Sequence, residues 1–224
     1  MFKKDDPRFY THQKRLEIGF SNAKEWRHAT PTMNVNFLTI LGHPVMERWE
    51  EPYMKKLAKI ATQNGGVVLE VGFGMGISAK YIQEAANLEK HLIIEANEKV
   101  YQNLTDFAAQ ADKKVVPYLG FWEDIVPILP DNCLDGILFD TYPLHDAEIH
   151  TNHFSFFKHA YRLLKTGGYL TYYSDEIDSF SLIHIAKLQE AGFTKIRGEV
   201  CHVQPPLDCS YWKSNTILSP IVEK

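Results

Sequence analysis

Cysteine is scarce in this sequence: its 224 residues include three, Cys133, Cys201 and Cys209, and no two of them form a C-x-x-C pair. An odd number of widely spaced cysteines argues against a disulfide framework and against a zinc site. We therefore expect reduced thiols that pack as small apolar side chains. Reduced thiols predict a cytoplasmic location.

Positive charge is also in short supply. Lys and Arg number 24 against 28 Asp and Glu, which gives a formal net charge of −4 and a pI near 6.2. A chain of this charge has no long-range attraction for a phosphate backbone. Nucleic acid is therefore not expected as an obligate partner, and small or cationic substrates fit better.

Long apolar runs are missing as well. The amino-terminal residues lack the apolar segment of a secretion signal, and no later run approaches the roughly 18 residues of a membrane span. Internal repeats and low-complexity segments are absent too, whereas the 45% hydrophobic content is typical of a globular protein. We expect one globular domain that is neither secreted nor inserted in a membrane.

One glycine-rich stretch dominates what is present. Residues 68–77 run Val-Leu-Glu-Val-Gly-Phe-Gly-Met-Gly-Ile, a short apolar strand that turns sharply into a helix. A dinucleotide-binding loop, Gly-x-Gly-x-x-Gly, would require glycine at Ile77. The order Glu-x-Gly-x-Gly-x-Gly, which starts at Glu70, is instead typical of methyltransferases that use S-adenosylmethionine. The alternative is a glycine-rich turn that binds no ligand.

Two further acids end apolar segments. Glu95 follows residues 91–94, about twenty residues beyond the glycines, where an acid hydrogen-bonds the ribose hydroxyls of an adenosine. Asp140 ends the run 135–139 and is expected at the carboxyl edge of a parallel sheet, where open α/β sheets bind their ligands. Asp140 is therefore the first catalytic candidate. Trp122 either flanks an adenine ring or fills the core.

The pattern of apolar segments predicts an α/β fold. We expect a seven-stranded Rossmann-like class I methyltransferase sheet, mostly parallel with an antiparallel last strand, and helices on both faces. Residues 1–44 are predicted to form an N-terminal arm or lid, and residues 45–224 the S-adenosylmethionine-dependent methyltransferase domain. The strands are predicted at 68–71, 91–95, 114–118, 135–140, 169–173, 194–203 and 210–222, and the helices after Pro52 and at 76–86, 98–110, 151–165 and 179–191.

Ten histidines raise the question of a metal site. Four of them, His145, His150, His153 and His159, cluster in the sequence but lack the helical H-E-x-x-H arrangement and a nearby cysteine. We expect surface or packing roles for them and no metal.

Six separate blocks of sequence carry a family resemblance. They are VMERWEEPYM (45–54), EVGFGM (70–75), IIE (93–95), WED (122–124), DGILFDTYPL (135–144) and RLLK (162–165). Together they resemble guanidinoacetate N-methyltransferase, from about Leu41 to the end of the chain. The glutamates around Trp49 would by themselves also fit a solvated helix face, but the resemblance assigns one of them to the active site.

The resemblance implies an enzyme that uses S-adenosylmethionine to convert a small guanidino substrate, guanidinoacetate, into creatine, as a monomer or a homodimer. It implies that Glu50 and Asp140 hold the guanidinium and carry the catalysis. Asp140 would accept the proton, and Glu50 would keep positive charge opposite the attacking nitrogen. The implied cofactor contacts are Trp26, Met46, Met54, Phe73, Gly74, Met75, Gly76, Ile77, Ser78, Glu95, Ala96, Asn97, Trp122 and Glu123. The elbow motif and the strand ends add Glu70, Gly72 and Asp140 to the expected cofactor contacts.

One segment departs from the family pattern. The family binds the substrate carboxylate through backbone N–H groups just after strand five, where this chain has Asp175 and Glu176. We expect these two residues to bind substrate through their amides, with their side chains directed to solvent. If the side chains instead face the pocket, a substrate tail that is neutral or cationic is favoured, because like charges repel.

Two other interpretations remain open. A methyltransferase of a different guanidino compound, or of protein arginine, would share the same core and the same pair of acids. A domain that binds an adenosine ligand as a scaffold, without chemistry, would keep the fold alone.

Overall fold

The computed structural model describes Asp6, Arg8, Gln13 and residues 16–224. A seven-stranded sheet forms the centre of the molecule, in the order β6-β5-β4-β7-β8-β10-β9. Its strands are β4 (Gly66–Val71), β5 (Leu88–Glu95), β6 (Val115–Leu119), β7 (Leu134–Phe139), β8 (Leu164–Tyr172), β9 (Lys195–His202) and β10 (Thr216–Glu223).

The direction of the strands confirms the predicted fold class. The pairs β4–β5, β4–β7, β5–β6 and β7–β8 are parallel, and β10 is antiparallel to both of its neighbours, β8 and β9. The carboxyl ends of β4, β5 and β7 therefore meet at one edge of the sheet, which is where ligands bind in open α/β sheets.

Helices cover both faces of this sheet, as predicted. They are α1 (Ala23–His28), α2 (Glu51–Ala61), α3 (Ile77–Gln83), α4 (Glu98–Gln110), the short α5 (Trp122–Ile125), α6 (Asn152–Leu163) and α7 (Leu182–Glu190). Alternate residues of a strand face opposite sides. Val68 of β4 accordingly packs in a core with α2, α3 and α4, whereas Leu69 packs in a second core with α6 and α7.

The N-terminal region contains more regular structure than the sequence indicates. Besides α1 it holds a small antiparallel sheet of β1 (Thr32–Met33), β2 (Phe37–Ile40) and β3 (His43–Glu47). Trp26, Leu38 and Ile40 are buried in the core that covers one face of the large sheet. The described part of the predicted arm thus packs on the main domain, and β3 runs across the predicted boundary between residues 44 and 45.

Helix α6 ends earlier than predicted. A glycine pair after a basic last turn, as at 167 and 168, is typical of a helix end and favours a helix over 151–165. In the structure α6 ends at Leu163 and both glycines lie in β8. The register of β8 against β7 is irregular there, since Leu134 pairs with Leu164 but Gly136 pairs with Tyr169. The positive φ of Gly167, 81°, suits such an irregularity, which strand glycines often mark.

The described residues contain free cysteines and only short or polar helices. The three cysteines are free, and the burial of Cys201 and Cys209 and the partial burial of Cys133 agree with the expected packing role. In the part of the chain that the structure describes, every helix is too short or too polar to cross a membrane.

Candidate active site

A cavity of about 370 Å³ opens at the carboxyl edge of the large sheet. Val71 and Gly72 at the end of β4, Glu95 at the end of β5 and Asp140 after β7 line it. Trp26 and Met46 from the N-terminal region line its opposite side. Its volume is that of a site for a ligand the size of a small cofactor.

The glycine elbow after β4 is held close to Asp140. The backbone N–H of Asp140 donates to the carbonyl of Val71 at 2.9 Å, and that of Gly72 donates to Ile94 at 2.8 Å. Gly72 has φ of 94°, and a Cβ built on it would lie 2.0 Å from the Asp140 carbonyl oxygen. Only glycine can therefore occupy this position without displacing Asp140.

Glu95 presents a carboxylate in the cavity wall. Its Oε2 accepts a hydrogen bond from the backbone N–H of Phe73 at 3.0 Å, and its Oε1 accepts one from Asn97 at 2.7 Å. Burial raises the pKa of Glu95, and these backbone donors limit the rise. The carboxylate is thus oriented by both the glycine elbow and the start of α4, at the strand end where a ribose is expected.

Glu50 is a second buried acid in the cavity. It ends the short 3-10 helix Arg48–Glu50, and its Oε1 accepts hydrogen bonds from the Tyr211 hydroxyl at 2.5 Å and from the backbone N–H of Glu47 at 2.8 Å. Burial, followed by the nearby charge of Asp140, raises the pKa of Glu50 to about 8. Two carboxylates that line one cavity are stabilised by a cation between them.

Tyr211 was missed by the sequence interpretation. It lies in the segment between β9 and β10, lines the cavity and is 5% exposed. The segment holds neither glycine-rich nor strand-end acid signals, so its approach to Glu50 could not be foreseen.

The solvent-directed placement of Asp175 and Glu176 is wrong: both side chains are buried, 5% and 6% exposed. Asp175 lines the cavity, in a left-handed conformation with φ of 54°, and its Oδ1 lies 2.9 Å from Nδ1 of His150. Glu176 is buried as well but does not line the cavity. Only the first of the two acids therefore faces the space where a substrate can bind.

Glu176 is turned away from the cavity toward other partners. Its Oε2 accepts a hydrogen bond from Arg8 at 2.6 Å, while Oε1 accepts one from the backbone N–H of Ser181 at 3.0 Å and lies 3.3 Å from Nδ1 of His184. Although burial opposes the change, the hydrogen bonds from His184 and Ser181 and the charge of Arg8 lower the pKa of Glu176 to about 2. Glu176 is not among the residues that line the cavity.

The four clustered histidines take different positions. His145 lines the cavity, His150 pairs with Asp175, and His159 lies edge-on to Trp122. His153 is buried and stacks on Tyr172, and burial lowers its pKa to about 3. Within the described residues, no group of His, Cys, Asp and Glu is arranged to hold a metal ion.

The predicted cofactor residues divide into two sets. Glu70 belongs to the set outside the cavity: its buried carboxyl accepts a hydrogen bond from the Ser78 hydroxyl and lies 3.0 Å from Nε2 of His91. It therefore links β4 to α3 and β5. The predicted cofactor residues that line the cavity are Trp26, Met46, Gly72, Gly74, Glu95, Ala96, Trp122, Glu123 and Asp140. The lining does not include Met54, Glu70, Phe73, Met75, Gly76, Ile77, Ser78 or Asn97.

Trp122 and Trp26 both pack against other aromatic rings and line the cavity. Trp122 lies edge-on to Phe139 and Phe156 while it also lines the cavity. Its packing role is therefore confirmed, and its contact with an adenine ring stays a prediction. Trp26 stacks on Tyr142 with ring centroids 5.3 Å apart. Asn97 does not line the cavity, but its side-chain amide donates to the Trp26 carbonyl at 2.7 Å and so fixes α1 in place.

The sequence as a whole matches a family model described as guanidinoacetate N-methyltransferase, over residues 14–224. The chain belongs to this family. The match spans the glycine elbow, Glu50, Asp140 and Tyr211, so the whole cavity falls within it.

Similar curated proteins share the name protein arginine N-methyltransferase 2. This family member is 30% identical over 149 residues to the protein of Yarrowia lipolytica, a match that covers 63% of this chain and 30% of the relative. It is 28% identical over 197 residues to that of Aspergillus fumigatus, with coverage of 79% and 44%. The chain thus spans less than half the length of these relatives.

Solved structures share the fold at low sequence identity. Spermidine synthase from Thermotoga maritima has a TM-score of 0.63 at 17% identity and covers 88% of this chain and 72% of its own. TYW2 from M. jannaschii, solved in complex with AdoMet, has a TM-score of 0.57 at 14% identity, with coverage of 88% and 85%. These likenesses show the class I methyltransferase fold.

The cofactor of this guanidinoacetate N-methyltransferase family member is S-adenosylmethionine. The cavity fits this group in two respects. Glu95 places an oriented carboxylate where a ribose is held, and Gly72 and Gly74 leave room for the ligand beside the backbone of the elbow.

Replacement of Glu95 by alanine is expected to weaken the binding of S-adenosylmethionine by about 1–3 kcal/mol, the scale of a lost hydrogen bond to a charged group. Titration calorimetry measures this change. Glu89→Ala is the matched control, because Glu89 lies on the same strand and is exposed. Equal affinities for the parent and Glu95→Ala would remove Glu95 from the cofactor site.

Proposed function

We propose that this protein transfers the methyl group of S-adenosylmethionine to a guanidino nitrogen of its substrate. The observation that carries the proposal is the pair of acids, Glu50 and Asp140, in one cavity with the cofactor residues Gly72 and Glu95. A pair of carboxylates beside a methyl donor is suited to a cationic acceptor rather than to a neutral or anionic one.

A guanidinium matches this pair in shape and in charge. It is planar, with forked N–H donors, and two carboxylates bind it bidentately so that one nitrogen has a fixed direction. S-adenosylmethionine, when bound, supplies the methyl group from a sulfonium cation. Glu50 and Asp140 also offset the repulsion between that cation and the guanidinium.

The proton of the attacking nitrogen needs an acceptor within the cavity. The pKa of a guanidinium exceeds about 12, so prior loss of the proton at pH 7 would require roughly 7–8 kcal/mol. We therefore assign the transfer of the proton to Asp140 as the new N–C bond forms. Glu50, on the other side, holds the remaining positive charge.

The substrate tail is the finer part of the proposal. The family description names guanidinoacetate, and the relatives' names point to an arginine side chain. Asp175 lines the cavity with a buried carboxylate, and a substrate carboxylate a few ångströms away would lose about 1 kcal/mol or more. This favours guanidines with a neutral or cationic tail, an arginine side chain included, over guanidinoacetate.

A panel of guanidines tests both parts of the proposal. Guanidinoacetate, guanidine, agmatine and an arginine-containing peptide are incubated with isotopically labelled S-adenosylmethionine, and the product masses are measured. We expect methylated product, with agmatine, guanidine or the peptide ahead of guanidinoacetate. Asp175→Asn should raise the methylation rate of guanidinoacetate about fivefold relative to the rates of the other guanidines. Asp178→Asn, at an exposed position, should leave these relative rates unchanged.

The outcomes separate the alternatives. If guanidinoacetate is the best substrate of the parent and Asp175→Asn leaves its rate unchanged, the assignment of the tail is wrong. If no guanidine is methylated by a protein that binds S-adenosylmethionine, the proposed activity is wrong and the scaffold interpretation gains support.

A further inference from the structure

The hydrogen bond between Tyr211 and Glu50 joins two buried side chains that are far apart in the sequence. The Tyr211 hydroxyl donates to Oε1 of Glu50 at 2.5 Å, and the backbone N–H of Glu47 donates to the same oxygen at 2.8 Å. Glu50 is 2% exposed and Tyr211 is 5% exposed. The second oxygen of Glu50, Oε2, is thereby left to approach a ligand in the cavity that both residues line.

The direction of this hydrogen bond is set by the phenol. Burial, followed by the charge of Glu50, raises the pKa of Tyr211 far above its ordinary value, so the hydroxyl keeps its proton and acts as the donor. Trp49 packs against the ring of Tyr211, with ring centroids 5.7 Å apart, and restricts its motion. The hydroxyl therefore points at Glu50 before any substrate arrives.

Apart from the backbone N–H of Glu47, the other groups around Glu50 do not stabilise its charge. Among the described residues, those that interact with it electrostatically are Asp140 after β7, Glu47 in β3, Tyr173 after β8 and Cys209 in the same segment as Tyr211. Asp140 and Glu47 favour the protonated form of Glu50, because like charges repel. Tyr211 is the side chain that acts in the opposite direction.

We propose that Tyr211 is a positioning residue for Glu50, which holds the carboxyl group in one orientation and favours its charged form, the form that binds the guanidinium. The inference rests on the proposed function, since it assigns Glu50 to the substrate. It adds the segment between β9 and β10 to the structures that determine the reaction.

The sign of the pH effect follows from the protonation state that the hydrogen bond favours. A donor stabilises the charged carboxylate, so Tyr211→Phe raises the pKa of Glu50 from its present value of about 8. The rise of kcat/KM with pH, which reports the free enzyme, should then move to higher pH by about one unit. At pH 7 this is about a tenfold loss, and at alkaline pH most of the activity should return.

Tyr161→Phe is the matched control. It makes the same chemical change at a tyrosine that packs against Phe193, outside the cavity lining, and should leave the pH profile unchanged. Calorimetry with S-adenosylmethionine checks that Tyr211→Phe keeps the fold and the cofactor site. A loss of activity that is equal at every pH, or no loss at all, overturns the inference.

A second measurement does not depend on turnover. The carboxyl carbon of Glu50 is followed by carbon-13 NMR as a function of pH in the parent and in Tyr211→Phe, with Glu50→Gln to assign the signal. We expect the midpoint to lie higher in Tyr211→Phe, and equal midpoints contradict the inference. If the parent methylates no guanidine, the proposed function fails while the NMR comparison still decides the role of Tyr211.

Discussion

Replacement of Asp140 by asparagine should lower methyl transfer to a guanidine by about 10²–10⁴-fold, the usual contribution of a general base. The amide keeps the shape of the side chain but cannot accept the proton and carries no charge to attract the guanidinium. Asp140 lies at the end of β7 with its backbone N–H bonded to Val71, and asparagine preserves that bond. The free energy of unfolding should therefore change little.

Single-turnover rates at saturating S-adenosylmethionine measure the loss, and urea unfolding checks the stability. Asp146→Asn provides the control, because Asp146 is exposed in the segment that follows and does not line the cavity. If Asp140→Asn retains more than about a tenth of the rate, Asp140 is not the proton acceptor. Glu50, whose pKa is raised to about 8, would then be the better candidate.

Replacement of Gly72 by alanine should destabilise the protein and disable the site together. The added Cβ would lie 2.0 Å from the carbonyl oxygen of Asp140, and φ at this position is 94°. Overpacking of this kind destabilises a protein by about 1–3 kcal/mol, and an alanine in a left-handed conformation by about 1–2 kcal/mol. The free energy of unfolding should therefore fall by about 2–5 kcal/mol. Turnover should fall about 10²-fold, because a displacement of about 1 Å suffices for that.

Gly42→Ala separates the two causes. Gly42 has φ of 81° and no atom within 4 Å of an added Cβ, so alanine there introduces the backbone strain without the clash. Urea unfolding and single-turnover rates of the two variants are compared. If Gly42→Ala and Gly72→Ala lose the same stability, or if Gly72→Ala keeps full turnover, the close approach of Gly72 to Asp140 does not matter for the site.

The predictable part of the fold is the part with local signals. The apolar runs before Glu70, Glu95 and Asp140 are strands, because a buried parallel strand must be apolar and ends where polar groups reach the sheet edge. The glycines at 167 and 168 misled the prediction of α6, since a glycine pair marks a helix end and a strand irregularity equally well. The small strands around Leu38 were not predicted, because they are too short to show a regular alternation of apolar and polar residues in the sequence.

In the candidate site, too, residues with local sequence signals were predicted and those placed by long-range contacts were not. Asp140 was predicted from its place at the end of an apolar run and Glu50 from the family resemblance, and the structure brings both to the cavity. Glu70 was predicted to contact the cofactor from the glycine-rich elbow motif. Its carboxyl group instead interacts with Ser78 and His91. Whether an acid near a strand end faces a ligand or other side chains depends on which partners the fold brings near. Long-range contacts of this kind, like that of Tyr211, leave no mark in a single sequence.

The long-range hydrogen bonds around Glu50 also determine when the site can form during synthesis on the ribosome. The hydrogen bond between Tyr211 and Glu50 spans 161 residues, and that between the Tyr53 hydroxyl and the Leu218 carbonyl spans 165. Contacts of such high sequence separation form late, because loop closure must precede them. The elbow and Asp140 can assemble while the chain is still being made, but the proposed guanidinium site cannot be complete until the residues beyond β9 have emerged. A nascent chain can therefore acquire its cofactor site before it is able to use it.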